Sequence, residues 1–523
     1  MTNTKFVTGY EAACAIPDGA TVAVGGFCGF GSPDEVLQGM RERFERTGSP
    51  QNITLFKGVS VGDKGERGVS RIALEGLVGK VICAHVGLEP PLARMIEEDR
   101  CLAYLLPLGT ITELYRAAAS HRPGVMTGTG LETFADPRVE GSKANRRTAE
   151  EGGDIVSLMT LDGEECLYYP AMPIHVAVIR GTTADRQGNV SMEREALQSD
   201  QFEAAAAAHN SGGIVIVQVE RIVDGPLDPQ KVVLHHFMVD YIVQAAPEHH
   251  LQGFDTPEFR PELTGEVRRG TGVSGGIPPM PLNDRKVCGR RAVLELREND
   301  IINLGIGMPD SVAAVAAEEG IADRFTLSIE SGVLGGVPLS GLGLGASRYP
   351  EAIYKMADVL NLYDGGCLDM AVLGLAEMDG HGNVNVSSFG GRVTGPGGFI
   401  DIAQHTKTVL FVGTFTAGGL RTSYDGGKLT ILQEGRSVKF RRQVEQITFS
   451  GNYAVRTDKR ILAITERAVF RLTEQGLELI EIAPGVDLER DILAHMEFTP
   501  IISPDLKEMD PRIFRDGPMG LTL

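Results

Sequence analysis

Glu330 is the residue whose type and position most directly suggest chemistry. It follows the apolar stretch Arg-Phe-Thr-Leu-Ser-Ile of residues 324–329, which predicts a short buried strand. Glycines that let a backbone approach a ligand closely follow Glu330, at positions 332, 335, 336, 341, 343 and 345. A single carboxylate at the end of a strand, beside such a loop, is either a solvated turn residue or a group that does chemistry.

The elements around Glu330 occur twice in the chain, which indicates an internal duplication. The stretch TVAVGGFCGFGSPDEV (21–36) has the same order of strand, glycine turn and helix start as DIINLGIGMPDSVAAVA (300–316). Two further segments, 175–190 and 369–384, both end in Asp-x-x-Gly-Asn-Val, and an apolar strand follows each of them. Three matches in the same order predict two homologous α/β domains fused in tandem.

Strands that alternate with helices predict open α/β domains with mostly parallel sheets, whose ligands bind outside the carboxyl ends of the strands. We expect an N-terminal domain over residues 1–261, a Gly- and Pro-rich linker over 262–284 and a C-terminal domain over 285–523 that carries Glu330. The first half is longer than the second. We place its insertion at roughly 102–166, where the sequence turns polar and irregular.

Lys57 in the first half takes roughly the place that Glu330 has in the second. Counting from the matched glycine turns aligns ITLFKG (53–58) with LSIESG (327–332). A carboxylate needed only for the fold would have little reason to differ between two copies of one structure. The difference therefore favours a functional role for Glu330 over that of a solvated turn residue.

The composition argues against several classes of function. The 523 residues include 50 Lys and Arg against 69 Asp and Glu, and the net charge of −19 argues against nucleic acid or an anionic membrane as a partner. Seven scattered cysteines without a CxxC pair, and histidine pairs without HExxH spacing, predict neither disulfides nor a metal site. The start of the sequence lacks signal-peptide features, and no apolar run reaches the roughly 18 residues of a membrane span, so we expect a cytoplasmic protein.

Together these motifs resemble the family I coenzyme A (CoA) transferases, specifically the fused single-chain type that acts on short-chain acyl-CoA and acetate. The resemblance extends over nearly the whole chain. The motifs that indicate this family most specifically are Glu-Ser-Gly (330–332) and the paired glycine turns. The segments that carry it besides Glu-Ser-Gly are VGGFCGFGSPDE (24–35), GLETFADPR (130–138), PIHVAVIRGTTADRQGN (173–189), NLGIGMP (303–309) and GPGGF (395–399).

The resemblance implies a ping-pong transfer of CoA from a short-chain acyl-CoA to acetate or a similar acid, in which Glu330 becomes a glutamyl-CoA thioester. It implies that the backbone N–H groups of Gly395, Gly397 and Gly398 stabilise the oxyanion of each tetrahedral intermediate, whereas the residues alone would equally fit an ordinary glycine turn. CoA is then a substrate and covalent intermediate, and we expect no metal, no permanently bound cofactor and a homo-oligomer, either a dimer or a tetramer. The implied CoA-binding residues are Asn303, Gly305, Gly307, Gly397 and Gly398, and the implied substrate pocket contains Gly26, Phe27, Leu108 and Gly109.

Leu108 departs from the pattern of some relatives, which carry glutamine at this position. An apolar side chain there predicts a pocket for small acids with hydrocarbon tails, such as acetate, propionate or butyrate. A dicarboxylate or a 3-oxo acid would bury an additional polar group without a partner, which costs on the order of 1 to 3 kcal/mol.

Other functions give different expectations. If water replaces the second acid, the protein is a short-chain acyl-CoA hydrolase, and activity with and without acetate separates the two. An ATP-using acyl-CoA synthetase is not supported, because residues 74–81 lack the first glycine and the Ser/Thr of a phosphate-binding loop. A ligand-sensing or scaffold protein on the same fold is a third reading, which a covalent thioester trap would distinguish from an enzyme.

Overall fold

The computed structural model describes residues 4–269 and 279–523, and the first half is built on a parallel sheet of eight strands. The strands of this half are β1 (Lys5–Val7), β2 (Thr21–Val24), β3 (Ile53–Lys57), β4 (Val78–Cys83), β5 (Leu102–Leu105), β6 (Gly124–Thr127), β7 (Ser157–Leu161), β8 (Glu164–Pro170), β9 (Val176–Arg180), β10 (Thr183–Asp185), β11 (Val190–Ser191), β12 (Ile214–Val219), β13 (Arg221–Val223), β14 (Val232–Leu234) and β15 (Tyr241–Gln244). Its α-helices are α1 (Gly9–Ala13), α2 (Asp34–Thr47), α3 (Pro90–Glu97), α4 (Leu108–Ala119), α5 (Arg146–Glu151) and α6 (Gln201–Asn210). The main sheet has the order β1-β15-β12-β9-β2-β3-β4-β5.

The second half is built on a sheet of ten strands with a parallel centre. Its strands are β16 (Ile301–Leu304), β17 (Thr326–Ser328), β18 (Val333–Leu334), β19 (Val337–Pro338), β20 (Ser347–Arg348), β21 (Ala352–Ile353), β22 (Met370–Gly374), β23 (Glu377–Met378), β24 (Val384–Asn385), β25 (Ser388–Phe389), β26 (Arg392–Val393), β27 (Thr408–Val412), β28 (Thr416–Ala417), β29 (Arg421–Asp425), β30 (Lys428–Gln433), β31 (Ser437–Val438), β32 (Arg460–Ile464), β33 (Ala468–Thr473), β34 (Gly476–Ile482) and β35 (Ile501–Glu508). Its α-helices are α7 (Asp284–Val293), α8 (Ser311–Glu318), α9 (Met356–Asp364), α10 (Phe399–His405) and α11 (Gly451–Arg456). The sheet order is β21-β18-β17-β16-β22-β27-β32-β33-β34-β35.

Each of the two sheets has five parallel strands at its centre, arranged in the same order. This confirms the predicted α/β class and the predicted tandem arrangement. The order β3-β2-β9-β12-β15 in the first half recurs as β17-β16-β22-β27-β32 in the second. The strands at these centres are mostly buried because helices or other chain segments cover both faces, as parallel sheets require. The exact domain boundaries stay predictions, and residues 270–278 of the predicted linker lie outside the described part of the chain.

The sheet register corrects the alignment of Lys57 with Glu330. Val178 and Val372 occupy the same position in the matched segments 175–190 and 369–384. Val178 pairs with Val24 and Val372 pairs with Leu304, so Val24 corresponds to Leu304. Counted from there, the neighbouring strands align Phe56 with Ser328, because these residues pair with Ala23 and Asn303. Gly58 therefore corresponds to Glu330, and Lys57 precedes it by one residue.

The predicted insertion at 102–166 contains regular structure where an irregular chain was expected. Strand β5 extends the first sheet, and α4 buries nine of its twelve residues, among them Leu108 and Gly109. Helix α4 packs against α6 of its own half and against α9 of the second half. Leu108 and Met356 belong to the same buried apolar cluster, so the two halves share a core. Within the described residues, the search for a helix long and apolar enough to cross a membrane finds none.

Candidate active site

Glu330 lies in a tight turn between β17 and β18, at the carboxyl end of a parallel strand. The turn is closed by the N–H of Gly332, which donates to the carbonyl of Ile329 at 3.0 Å. Gly332 has φ +110°, and a Cβ atom there would lie 2.1 Å from the carbonyl oxygen of Tyr354, so only glycine fits. This geometry fixes the backbone that carries the Glu330 carboxylate.

Glu330 is partly buried, and its carboxyl has few polar partners. Burial raises its pKa, and the Asn303 side chain partly opposes this by placing Nδ2 3.5 Å from Oε2. The same Nδ2 donates to the Ser328 carbonyl at 3.1 Å, and Ser328 Oγ and the Tyr363 hydroxyl lie 2.6 Å apart. A partly buried carboxylate is a stronger nucleophile than a fully exposed one, because less hydration is lost when it attacks.

The glycine loop at 395–398 reaches the Glu330 side chain. A Cβ atom on Gly398 would lie 3.0 Å from the Glu330 Cγ, so the absence of a side chain lets the loop backbone approach the Glu330 side chain. Gly398 is the N-cap of α10, and no acceptor for its N–H is found among the described residues. Of the three glycines predicted as oxyanion donors, Gly398 therefore stays a candidate.

The amides of Gly395 and Gly397 are already used. Gly395 N–H donates to the Ser387 carbonyl at 3.0 Å, and Gly397 N–H donates to the Ala84 carbonyl at 2.9 Å. This corrects the prediction that both are oxyanion donors, because an N–H engaged with a backbone carbonyl is not free for a substrate. The partner of Gly397 could not be predicted from the loop sequence, since Ala84 lies in the other half of the chain.

Three of the residues predicted to bind CoA, Asn303, Gly305 and Gly307, lie on or just after the strand next to Glu330, and the other two belong to the 395–398 loop. Asn303 is at the carboxyl end of β16, and Gly305 follows this strand and lines a narrow cleft with Ile329, which directly precedes Glu330. Ile306, Leu339 and Leu344 also line the cleft, so its walls are largely apolar. Gly307 lies further out, with open space where a Cβ would stand.

The residues predicted to form the substrate pocket divide into two groups. Phe27 packs against the glycine-rich loop that follows Glu330, where a Cβ on Gly345 would lie 2.6 Å from its ring. Beside it, the pKa of the Cys28 thiol is raised mainly by burial and further by the Glu330 carboxylate, which places Cys28 near the site.

Leu108 and Gly109 begin α4 and form the second group. The Leu108 side chain lies against Gly58, and a Cβ atom on Gly58 would lie 3.0 Å from the Leu108 Cδ1. The Gly109 N–H donates to Asp401 Oδ1 at 2.9 Å. Burial raises the pKa of Asp401, and the Asp364 carboxyl nearby raises it further. Sequence reasoning missed this buried acid pair, because its two members lie on different helices, α10 and α9.

The chain is similar to known coenzyme A transferases over nearly its whole length. A family model described as "Coenzyme A transferase" matches residues 8–245. The chain is 44% identical to the caffeate CoA-transferase of Acetobacterium woodii, over 99% of this chain and 98% of the relative. It is 42% identical to the acetate CoA-transferase YdiF of Escherichia coli K12, over 98% of this chain and 96% of the relative.

Solved structures give the same answer for the fold. The crystal structure of the acyl-CoA transferase YdiF apoenzyme from Escherichia coli O157:H7 superposes with a TM-score of 0.93 at 40% identity, covering 99% of this chain and 97% of that one. A second structure of that enzyme, with the same TM-score, identity and coverage, is described as a thioester complex with CoA. The chain therefore belongs to the coenzyme A transferase family.

Proposed function

We propose that this enzyme transfers CoA from a short-chain acyl-CoA to a free carboxylic acid, such as acetate, through a thioester between CoA and Glu330. The observation that carries the proposal is a partly buried carboxylate at the carboxyl end of a parallel strand, with Gly398, whose amide has no acceptor among the described residues, packed against its side chain. The relatives support the reaction class, since the closely similar YdiF structure is described as a thioester complex with CoA.

The first half-reaction starts when a Glu330 oxygen attacks the acyl thioester carbon. The carbon–sulfur bond breaks, which gives a mixed anhydride and the CoA thiolate. The thiolate then attacks the Glu330 carbonyl carbon, the anhydride C–O bond breaks, and the free acid leaves as a carboxylate. The enzyme now carries CoA as a thioester on Glu330, and a second carboxylate reverses the same steps.

Gly398 stabilises the charge that develops in these steps. Each tetrahedral intermediate carries an oxyanion, and one preorganised backbone donor lowers such a barrier by about 3 kcal/mol. Binding the remainder of CoA at the cleft along Gly305 and Ile306 keeps the thiolate next to Glu330, so that its return attack is effectively intramolecular. No step requires a metal or a permanently bound cofactor.

We further propose short-chain aliphatic acids as substrates, a homo-oligomer as the assembly and the cytoplasm as the location. The apolar Leu108 supports the first, and seven cysteines that form no disulfide are in keeping with the last. The two relatives named above act on caffeate and acetate, so the acyl group is the least constrained part of the proposal.

The covalent step is tested by trapping. Incubation with acetyl-CoA and then hydroxylamine should leave a hydroxamate on the peptide that contains Glu330, and added propionate should yield propionyl-CoA. A label on a different peptide would contradict the role of Glu330. Release of free CoA at the same rate with and without an acceptor acid would instead support the hydrolase alternative.

A further inference from the structure

Lys57 is a fully buried cation close to the site, and the mechanism above does not use it. Its side chain and that of Glu89 are both 0% exposed, and Nζ lies 2.9 Å from Glu89 Oε2. The ammonium also donates to the carbonyls of His85 at 2.8 Å and Val59 at 3.2 Å. Glu89 in turn accepts the N–H of Val61 at 2.6 Å.

These contacts hold the segment that supports the glycine loop. Residues 84–86 pair with residues 394–397 by two backbone hydrogen bonds in opposite directions. Val86 N–H donates to the Thr394 carbonyl at 2.8 Å, and Gly397 N–H donates to the Ala84 carbonyl at 2.9 Å. On its other side, Ala84 N–H donates to the Gly58 carbonyl at 2.9 Å, next to Lys57.

The segment therefore fixes where the Gly398 amide lies. A loop with glycines at positions 395, 397 and 398 has large conformational freedom of its own, so its conformation must be imposed by its neighbours. A Cβ on Gly395 would lie 2.4 Å from the Ala84 carbonyl oxygen, which shows how closely the two backbones approach. A shift of residues 84–86 would thus move the loop and its amide relative to Glu330.

We propose that Lys57 and Glu89 form a positioning pair that holds residues 84–86 and, through them, the loop 394–398 beside Glu330. The catalytic part of this inference rests on the proposed function. A buried ion pair is weak evidence for stability, because desolvation offsets most of the attraction between the charges. The pair is better explained by the conformation it specifies, since an error of about 1 Å in an active site can cost a hundredfold in rate.

The test replaces both charges at once, because Lys57→Met alone would leave Glu89 buried without its cation. In Lys57→Met/Glu89→Gln we expect kcat to fall at least about tenfold with KM for acetyl-CoA within about threefold. Hydrogen–deuterium exchange should quicken in the peptides that cover 84–86 and 394–398, while the melting temperature stays close to that of the wild type.

The matched control is a second buried ion pair, Arg291 with Glu481, which contact each other at 2.8 and 2.9 Å. Arg291→Met/Glu481→Gln should leave kcat within about twofold of the wild type and exchange at 394–398 unchanged. Equal losses in both double variants would overturn the proposal. So would an unchanged kcat, or unchanged exchange at 394–398, in Lys57→Met/Glu89→Gln.

The wild-type protein provides a test that does not depend on the variants folding. The hydrogen-bonded amides of Thr394, Gly395 and Gly397 should exchange as slowly as those of the buried strand β27, and exchange as fast as in the Asp425–Lys428 turn would overturn the proposal. Because this readout needs no turnover, failure of the positioning role is distinguishable from failure of the proposed function, which would appear as a wild-type enzyme without CoA transfer.

Discussion

Gly398 and Glu330 are so close that a methyl group on the first would press on the second. A Cβ at position 398 would lie 3.0 Å from the Glu330 Cγ and 3.4 Å from Ile402 Cδ1. Gly398 has φ −84°, a value that any residue adopts, so backbone strain does not require glycine here. The requirement comes from the side chain of Glu330 and is therefore linked to its position.

Gly398→Ala should lower activity with little effect on folding. The added methyl group displaces the Glu330 carboxylate from the free amide, and we expect kcat to fall about ten- to a hundredfold. The melting temperature should stay nearly unchanged, because no backbone conformation is strained. Steady-state kinetics and thermal unfolding check both parts, and Gly225→Ala, at a glycine with open space around it, is the control. Equal kcat in the two variants would show that the contact has no role in catalysis.

Glu330→Asp should be nearly as damaging as Glu330→Ala. The shorter side chain withdraws the carboxylate by about 1.5 Å, and misplacement on that scale costs about a hundredfold in kcat. Both variants should fail to accumulate the CoA thioester when intact protein is weighed by mass spectrometry after incubation with acetyl-CoA. Normal turnover by Glu330→Ala would contradict the mechanism.

The elevated pKa of Glu330 makes both activity and stability depend on pH. Only the carboxylate attacks, so kcat/KM should fall as the pH drops through a value above the roughly 4.3 of an ordinary glutamate. The free energy of unfolding should fall as the pH rises, because a raised folded pKa means that the native state binds the proton more tightly than the unfolded chain does. Glu330→Gln should thus be more stable than the wild type at pH 8, and the difference should vanish at low pH. A constant difference in melting temperature across this range would contradict the raised pKa.

The buried acid pair of Asp364 and Asp401 should give a second dependence of stability on pH. Burial raises the pKa of Asp364 to about 7, and that of Asp401 is raised as well. The stabilising protonated form is present below this pH and is lost as the pH rises through it. The unfolded chain releases this proton near pH 4 and the native state only near pH 7, so the melting temperature should decline between about pH 4 and pH 7 in the wild type and less steeply in Asp364→Asn. Parallel curves for the two proteins would show that Asp364 ionises normally.

The apolar Leu108 predicts the order of substrates. Acetyl-, propionyl- and butyryl-CoA should exceed succinyl- and acetoacetyl-CoA in kcat/KM by roughly 5- to 150-fold, since an unpaired buried polar group costs about 1 to 3 kcal/mol. A panel of acyl-CoA donors with acetate as the acceptor measures this order. A preference for succinyl-CoA would overturn the account of the pocket and leave the role of Glu330 intact.

The sequence was sufficient for the features that depend on local pattern. The apolar run before Glu330 predicted a strand end, and the paired glycine turns predicted two parallel sheets. The register error between Lys57 and Gly58 arose because the connection from β2 to β3, which contains α2, is longer than the connection from β16 to β17, which contains α8, so counting across them accumulates a shift. The contact between Ala84 and Gly397 joins residues more than three hundred positions apart, and no periodicity or propensity encodes such a pair.

The pairing of residues 84–86 with 394–397 has a consequence for assembly, since neither half contains a complete site. In one fused chain, each half is present to the other at an effective concentration on the order of millimolar, whatever the dilution of the enzyme. A version cut within the linker would lose this advantage and become a bimolecular system. Its turnover per molecule would then decline on dilution, whereas that of the intact chain would not.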